Sequence, residues 1–210
     1  MRELPNLLHV AWMGPDPMER KMIQTLERTK SVLTGFQLKI WNNNTFGEIF
    51  TSGDKSFGSF LEAATSTKNW QAVNDFVKVF VSVKYGGWVA DSTDEFVFAP
   101  QPFTRMPFVS GFGSDDGKLS PFSSVWGAVP QHKFSRLMLN AYTRHSSTAL
   151  LSSRSLEWVS RALISSGAKC DDTRQYVDKL DVHLFPSSIF SSQKATSSAF
   201  VVNHTSGVCK

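Results

Sequence analysis

The sequence predicts an α/β fold: one domain on a central, mostly parallel mixed sheet flanked by helices. Three observations predict it. Leu7 to Trp12 reads as a buried strand, a helix follows, and Gln37 to Trp41 reads as a second strand. That β-α-β order implies a parallel pair with a right-handed crossover. Val73, Phe76, Val77, Phe80 and Val81 recur at the spacing of one apolar helix face. A short apolar strand, Trp88-Val89-Ala90, follows that helix directly. Finally, 210 residues, 41% of them hydrophobic and 19% charged, are enough chain for one good core. The expected unit is a single domain over 1–210, or one domain of a longer polypeptide.

In chain order, Gly14-Pro15 is a turn. Asp16-Pro17-Met18-Glu19 predicts a helix start, with Asp16 as N-cap, Pro17 at the first helical position and Glu19 closing a capping box. The helix turns Met22, Ile23 and Leu26 inward and ends near Gly35. Asn42 to Thr45 reads as turn chemistry. Thr51 to Thr67 is Ser/Gly-rich and weakly helical, a candidate flap. The long helix starts near Trp70, and Gly86-Gly87 supply the left-handed geometry that ends it.

Phe96 to Ala99 reads as a strand stopped by Pro100 and Pro102, and Pro107 to Phe112 as another. Gly113 to Lys118 is a turn, and Ser123 to Val129 is strand-like. Two core-packing helices carry Phe134, Leu137, Met138 and Ala141, then Leu156, Val159, Ala162 and Leu163. Asp171-Asp172 opens a polar loop. Val182 to Phe185 and Ala199 to Asn203 read as the final strands.

The net charge of +4 is mild, and no basic run with interleaved aromatics suggests nucleic acid. It is compatible with a nucleotide-diphosphate ligand. No apolar run reaches membrane-spanning length, and the N-terminus lacks a signal-peptide core. The expectation is a cytoplasmic protein with free thiols at Cys170 and Cys209. No Cys/His cluster has zinc spacing. The sequons at Asn43 and Asn203 matter only in a secretory lumen.

The chemistry concentrates in Lys84 to Glu95, K-Y-G-G-W-V-A-D-S-T-D-E. Asp91 and Asp94 sit at the carboxyl end of the apolar strand, where open α/β sheets bind ligands. Two carboxylates offer only oxygen donors and suit Mg²⁺ or Mn²⁺. The bland alternative is a solvated acidic turn. If the chain stays extended, Asp91 and Thr93 share one face and Asp94 points away.

Y-G-G-W-V-A-D-S-T-D resembles the Y-G-G-φ-φ-φ-D-x-D segment of the GT-A-fold sugar transferases of glycosyltransferase family 32, which are similar to Och1-type mannosyltransferases and clostridial toxin catalytic domains. L-P-N-L-L-H-V-A-W-M-G is similar to the family's opening strand. That likeness implies nucleotide contacts around His9, Val10, Ala11 and Trp12, whose plain reading is a buried strand. Asp75 and Lys78 resemble the family's Asp and Arg that hold donor-sugar hydroxyls and the diphosphate. Lys keeps the charge and loses the bidentate fork, and the plain reading is a surface ion pair.

One inserted residue against the family pattern gives D-x-x-D. It implies Asp94 as the metal carboxylate and Asp91 as a ribose, donor-sugar or metal partner, with Lys78 adding charge near the diphosphate. Asp91, Asp94 and Lys78 are the catalytic candidates. Pro130-Gln131-His132 resembles a family step into the next helix. Ser123 and Ser124 fall where the family has residues facing the donor sugar, although a strand edge is the plainer reading. The closing N-H-T-S-G implies His204 as a third metal ligand. In its brevity the chain is similar to a glycosyltransferase domain of a chlorella-infecting DNA virus, which would work in the host cytoplasm.

The resemblance implies a retaining, metal-dependent transferase. It would move a hexose or deoxyhexose from a nucleotide-diphosphate sugar, a UDP-sugar, to a glycan or glycoprotein acceptor. The alternatives are a nucleotide-sugar hydrolase and a non-catalytic sugar- or nucleotide-binding module.

Overall fold

The computed structural model describes residues 3–50, 57–115, 118–144, 157–192 and 198–203. Its centre is a seven-stranded mixed sheet. The strands are β1 (Leu7–Ala11), β2 (Gln37–Trp41), β3 (Gly87–Ala90), β5 (Phe108–Gly111), β8 (Trp126–Ala128), β9 (Gln175–Val177) and β10 (Val182–Phe185), in the order β2-β1-β3-β8-β5-β10-β9. β1 pairs in parallel with both β2 and β3, and β10 in parallel with β5. β8 runs antiparallel between β3 and β5, and β9 is antiparallel to β10. Most strands therefore end on one edge, and reversed β8 starts there.

β4 (Asp94–Phe96) leaves the main sheet and pairs antiparallel with β11 (Val201–Asn203). β6 (Gly113–Asp115) and β7 (Lys118–Ser120) form a hairpin where the sequence reads as a turn. The helices are α1 (Arg20–Val32), α2 (Asn43–Phe50), α3 (Gly58–Ser66), α4 (Trp70–Tyr85), α5 (Lys133–Arg144), α6 (Glu157–Ser165) and the short α7 (Ser187–Phe190). None of the described helices is long and apolar enough to cross a membrane.

The pleat divides the core in two. Val89 and Trp126 face a cluster with Phe60, Phe76, Phe134 and Leu163. Trp88, Ala90 and Val125 face the other side, among Leu26, Phe96, Phe103 and Phe200. α4 is buried nearly all round, which fits a run of Val and Phe interrupted by few polar residues. Asn69 caps it by accepting from the Ala72 amide at 3.1 Å. It ends at Gly86 (φ +65°) and Gly87 (φ +89°). A Cβ on Gly86 would lie 2.6 Å from Pro130, and one on Gly87 2.8 Å from Leu7, so both the angle and the space require glycine.

Three local expectations are corrected. α1 begins at Arg20, and its N-cap, Glu19, makes no side-chain capping bond. The Asp16 carbonyl instead accepts the Trp12 indole N–H at 2.9 Å, and the chain bends at residues 14–16, short of the helix. Asn42 to Thr45 is not an open turn: the Asn42 carboxamide accepts the amides of Asn44 and Thr45 and caps α2. In the candidate flap, residues 57–66 are packed structure, with Phe57, Phe60 and Ala64 buried. Residues 51–56 lie outside the described residues.

His9 is a core residue. Its Nε2–H donates to the Gly86 carbonyl at 2.9 Å, so Nδ1 is the nitrogen that accepts the Trp41 indole N–H at 3.1 Å. Burial first, opposed by the Gly86 bond and aided by Lys39, pushes its pKa down to about 4. The native state binds the neutral ring, so stability is full above the ordinary value of 6.5 and falls as the pH drops from there towards 4. The expected loss from this group is on the order of 3 kcal/mol. ¹H–¹⁵N spectra at pH 5 should show His9 as the neutral Nε2–H form. An imidazolium at that pH would refute the assignment.

Candidate functional site

β1 and β3 are neighbours in parallel register, so the residues leaving their carboxyl ends, Trp12 and Asp91, emerge side by side. β8 enters at the same edge, which brings Ser124 there from the far half of the chain. α4 lies beneath, packed on all three strands.

Beyond β3 the chain does not stay extended. The Asp94 amide donates to the Asp91 carbonyl at 3.0 Å, closing a turn over Ser92 and Thr93. The turn folds the Asp94 carboxylate back: its Oδ2 accepts the Asp91 amide at 2.9 Å and the Ser124 hydroxyl at 2.9 Å. Asp94, not Thr93, therefore joins Asp91. Asp94 is buried, and its pKa is pushed up to about 7, first by burial and then by the charge of Asp91.

Asp91 is the more open of the two acids, with its side chain 35% exposed. Its Oδ1 accepts the Lys78 ammonium at 2.6 Å. Lys78 is 2% exposed, and Nζ also lies 3.0 Å from Asp75 Oδ1 and 5.8 Å from the centre of the Trp126 ring. Burial works against that charge, but Asp91 and then Asp75 hold the pKa above the ordinary lysine value. Asp75 is itself buried and takes Gln71 Nε2 at 3.2 Å. The surface ion-pair reading of Asp75 and Lys78 is thus corrected: the pair is buried. The ammonium is enclosed, two carboxylates and a ring face occupy its directions, and its influence passes through Asp91.

The other sequence candidates separate by exposure. The side chains of His9, Val10 and Ala11 are buried, and the strand backbone is paired on both sides. That is the plain reading of this stretch, and it leaves Trp12, half-buried with its indole N–H on Asp16, as the side chain at the site's edge. The loop it begins is fixed by Asn74, which the sequence does not single out, and by Asn43, which it offers only as turn chemistry. Asn74, next to Asp75 on α4, accepts the Met13 amide at 2.7 Å. Asn43 accepts the Gly14 amide at 3.2 Å and donates to the Gly14 carbonyl at 3.0 Å. Their signal was position: Asn43 follows the carboxyl end of β2, and Asn74 adjoins the buried Asp75.

His204 lies outside the described residues. Asn203, the residue before it, pairs with Asp94, so the described chain leaves β11 beside the acidic turn. Among the described residues no group of three or more His, Cys, Asp or Glu side chains could hold a metal ion. Asp91 and Asp94 remain as two hard oxygen donors folded onto one turn. That set suits Mg²⁺ or Mn²⁺ bound by one or two carboxylates, with substrate phosphates and water completing the shell.

No protein-family model matches the chain, and no curated protein sequence matches it. Eight solved chains match its fold. One is the PaToxG glycosyltransferase, with a TM-score of 0.56 and 13% identity over 79% of this chain and 70% of that one. At that identity the likeness is one of fold. The chain has the α/β architecture expected from its sequence, a mixed central sheet flanked by helices, and its fold is similar to that of a glycosyltransferase.

Proposed function

We propose that the chain is a retaining glycosyltransferase, akin to family 32, that uses a divalent metal, Mn²⁺ or Mg²⁺. It moves a hexose or deoxyhexose from a UDP-sugar to a glycan or glycoprotein acceptor. One observation carries this reading: the Asp91–Asp94 turn, which folds the Asp94 carboxylate back onto the Asp91 backbone at the carboxyl edge of β3. The fold shared with a glycosyltransferase supports it.

In this mechanism Asp91 and Asp94 hold the cation, with His204 a further ligand. When bound, the metal supplies Lewis-acid stabilisation to the departing diphosphate. Lys78 fixes Asp91 in direction. The Trp12–Gly14 loop, tied to Asn43 and Asn74, offers the nucleoside a preformed edge. A fixed loop and turn contribute by positioning the donor. In the retaining mechanism that the family likeness implies, the acceptor hydroxyl would attack at the front face of the donor sugar.

The test is titration calorimetry of UDP with Mn²⁺ and with EDTA, followed by donor turnover on a panel of UDP-sugars. Tighter binding with Mn²⁺ and UDP release stimulated by a glycan acceptor are expected. Turnover indifferent to any acceptor would instead indicate a hydrolase. Binding without metal dependence and without turnover would indicate a binding module.

A further inference from the structure

Ser124 reads as a strand-edge serine, yet its surroundings are built. It lies in the three-residue lead into β8, and the residues on either side of it are pinned. Ser123 Oγ accepts the Val125 amide at 3.0 Å. The Val125 carbonyl accepts the hydroxyl of fully buried Ser110 at 2.9 Å, from β5. The backbone at 124 is therefore held by its own loop and by a neighbouring strand. From that fixed point the Ser124 hydroxyl donates to Asp94 Oδ2 at 2.9 Å. The same oxygen takes the Asp91 amide at 2.9 Å. Asp94 is thus gripped by two donors from parts of the chain that meet only because β8 runs against β3.

We propose that Ser124 is a positioning residue for the cation–diphosphate site, fixing the Asp94 carboxylate in the direction that the ligand meets. The inference rests on the metal–nucleotide reading given above. Residues that hydrogen-bond a metal ligand set its orientation, and losing one costs about 10–100-fold in metal affinity. The Ser124 hydroxyl bonds Asp94, while the Lys78 ammonium bonds Asp91.

Two variants of matched shape isolate the hydroxyl: Ser124→Thr keeps it and Ser124→Val removes it. For each, Mn²⁺ affinity in the presence of UDP is measured by calorimetry and by the Mn²⁺ electron-resonance signal, alongside UDP affinity in EDTA and the melting temperature. The expected result is a 10–100-fold loss of Mn²⁺ affinity in the Val variant only, with the Thr variant within a few-fold of wild type. UDP affinity in EDTA and melting temperature should match between the two. Equal Mn²⁺ affinity in both variants overturns the role of Ser124 and leaves the site reading standing. A wild-type protein whose UDP binding ignores Mn²⁺ overturns the site reading and the proposal with it.

Discussion

Asp94→Asn is expected to remove about a hundredfold of the Mn²⁺-linked UDP affinity and donor turnover, because the metal's stabilisation of the leaving group is worth several kcal/mol. The fold should survive. The Asn carboxamide oxygen can still accept from the Asp91 amide and the Ser124 hydroxyl. In metal-free buffer the variant should even gain stability at higher pH. The native Asp94 carboxyl has its pKa raised from an ordinary 3.8 to about 7, so the folded state prefers the protonated form. Its contribution is full below pH 4 and is lost as the pH rises through 7. Asparagine carries no such loss. Melting curves in EDTA should therefore coincide near pH 4 and favour the variant at pH 8. Undiminished Mn²⁺-linked binding in the variant would remove Asp94 from the metal site. A variant that melts far below wild type at both pH values would make Asp94 a purely structural residue.

The second large effect lies at Lys78. Lys78→Met strips the ammonium from between Asp75 and Asp91 and takes the cation away from a buried carboxylate at Asp75. Removing one partner of a buried ion pair costs about 3–5 kcal/mol. Urea unfolding should show a loss of that size. Adding Asp75→Leu should recover much of it, since an apolar pair replaces the ionic one and half-exposed Asp91 can turn to water. Lys78→Arg would keep the charge but must fit a planar fork into an enclosed space, and should destabilise by less than methionine does. A methionine variant as stable as wild type would show that the Asp75–Lys78–Asp91 cluster contributes nothing to the fold.

Much of this was legible in the sequence, and the rest was hidden for identifiable reasons. Helix α4 and strand β3 could be read because a Val/Phe face and a double glycine are local signals. So could the β1-α1-β2 opening, although the capping residues pointed to a helix start that the Trp12–Asp16 bond displaces. Helix α3 had a signal that was outweighed: Phe57, Phe60 and Ala64 share a face, but serine and glycine around them suggest a loop. At the site, the two aspartates were visible and their turn was not, because one inserted residue fits either an extended strand or a reversal. The burial of Lys78 was invisible too. An i, i+3 pair of opposite charges looks the same at the surface and in the core, and only the strand laid over it decides. Ser124 becomes informative once β8 is known to run antiparallel.

The pairing of β4 with β11 has a further consequence, for the order in which the molecule assembles. Asp94 and Asn203 are partners across about 110 positions of chain. Closing so long a loop costs entropy before any contact repays it, and pairings of high sequence separation form slowly. The strand that begins at Asp94 therefore lacks its neighbour until nearly all of the described chain has folded. During synthesis on the ribosome β4 would lack this partner until β11 emerges, so the acidic turn would gain its pairing with β11 after its support from Ser124.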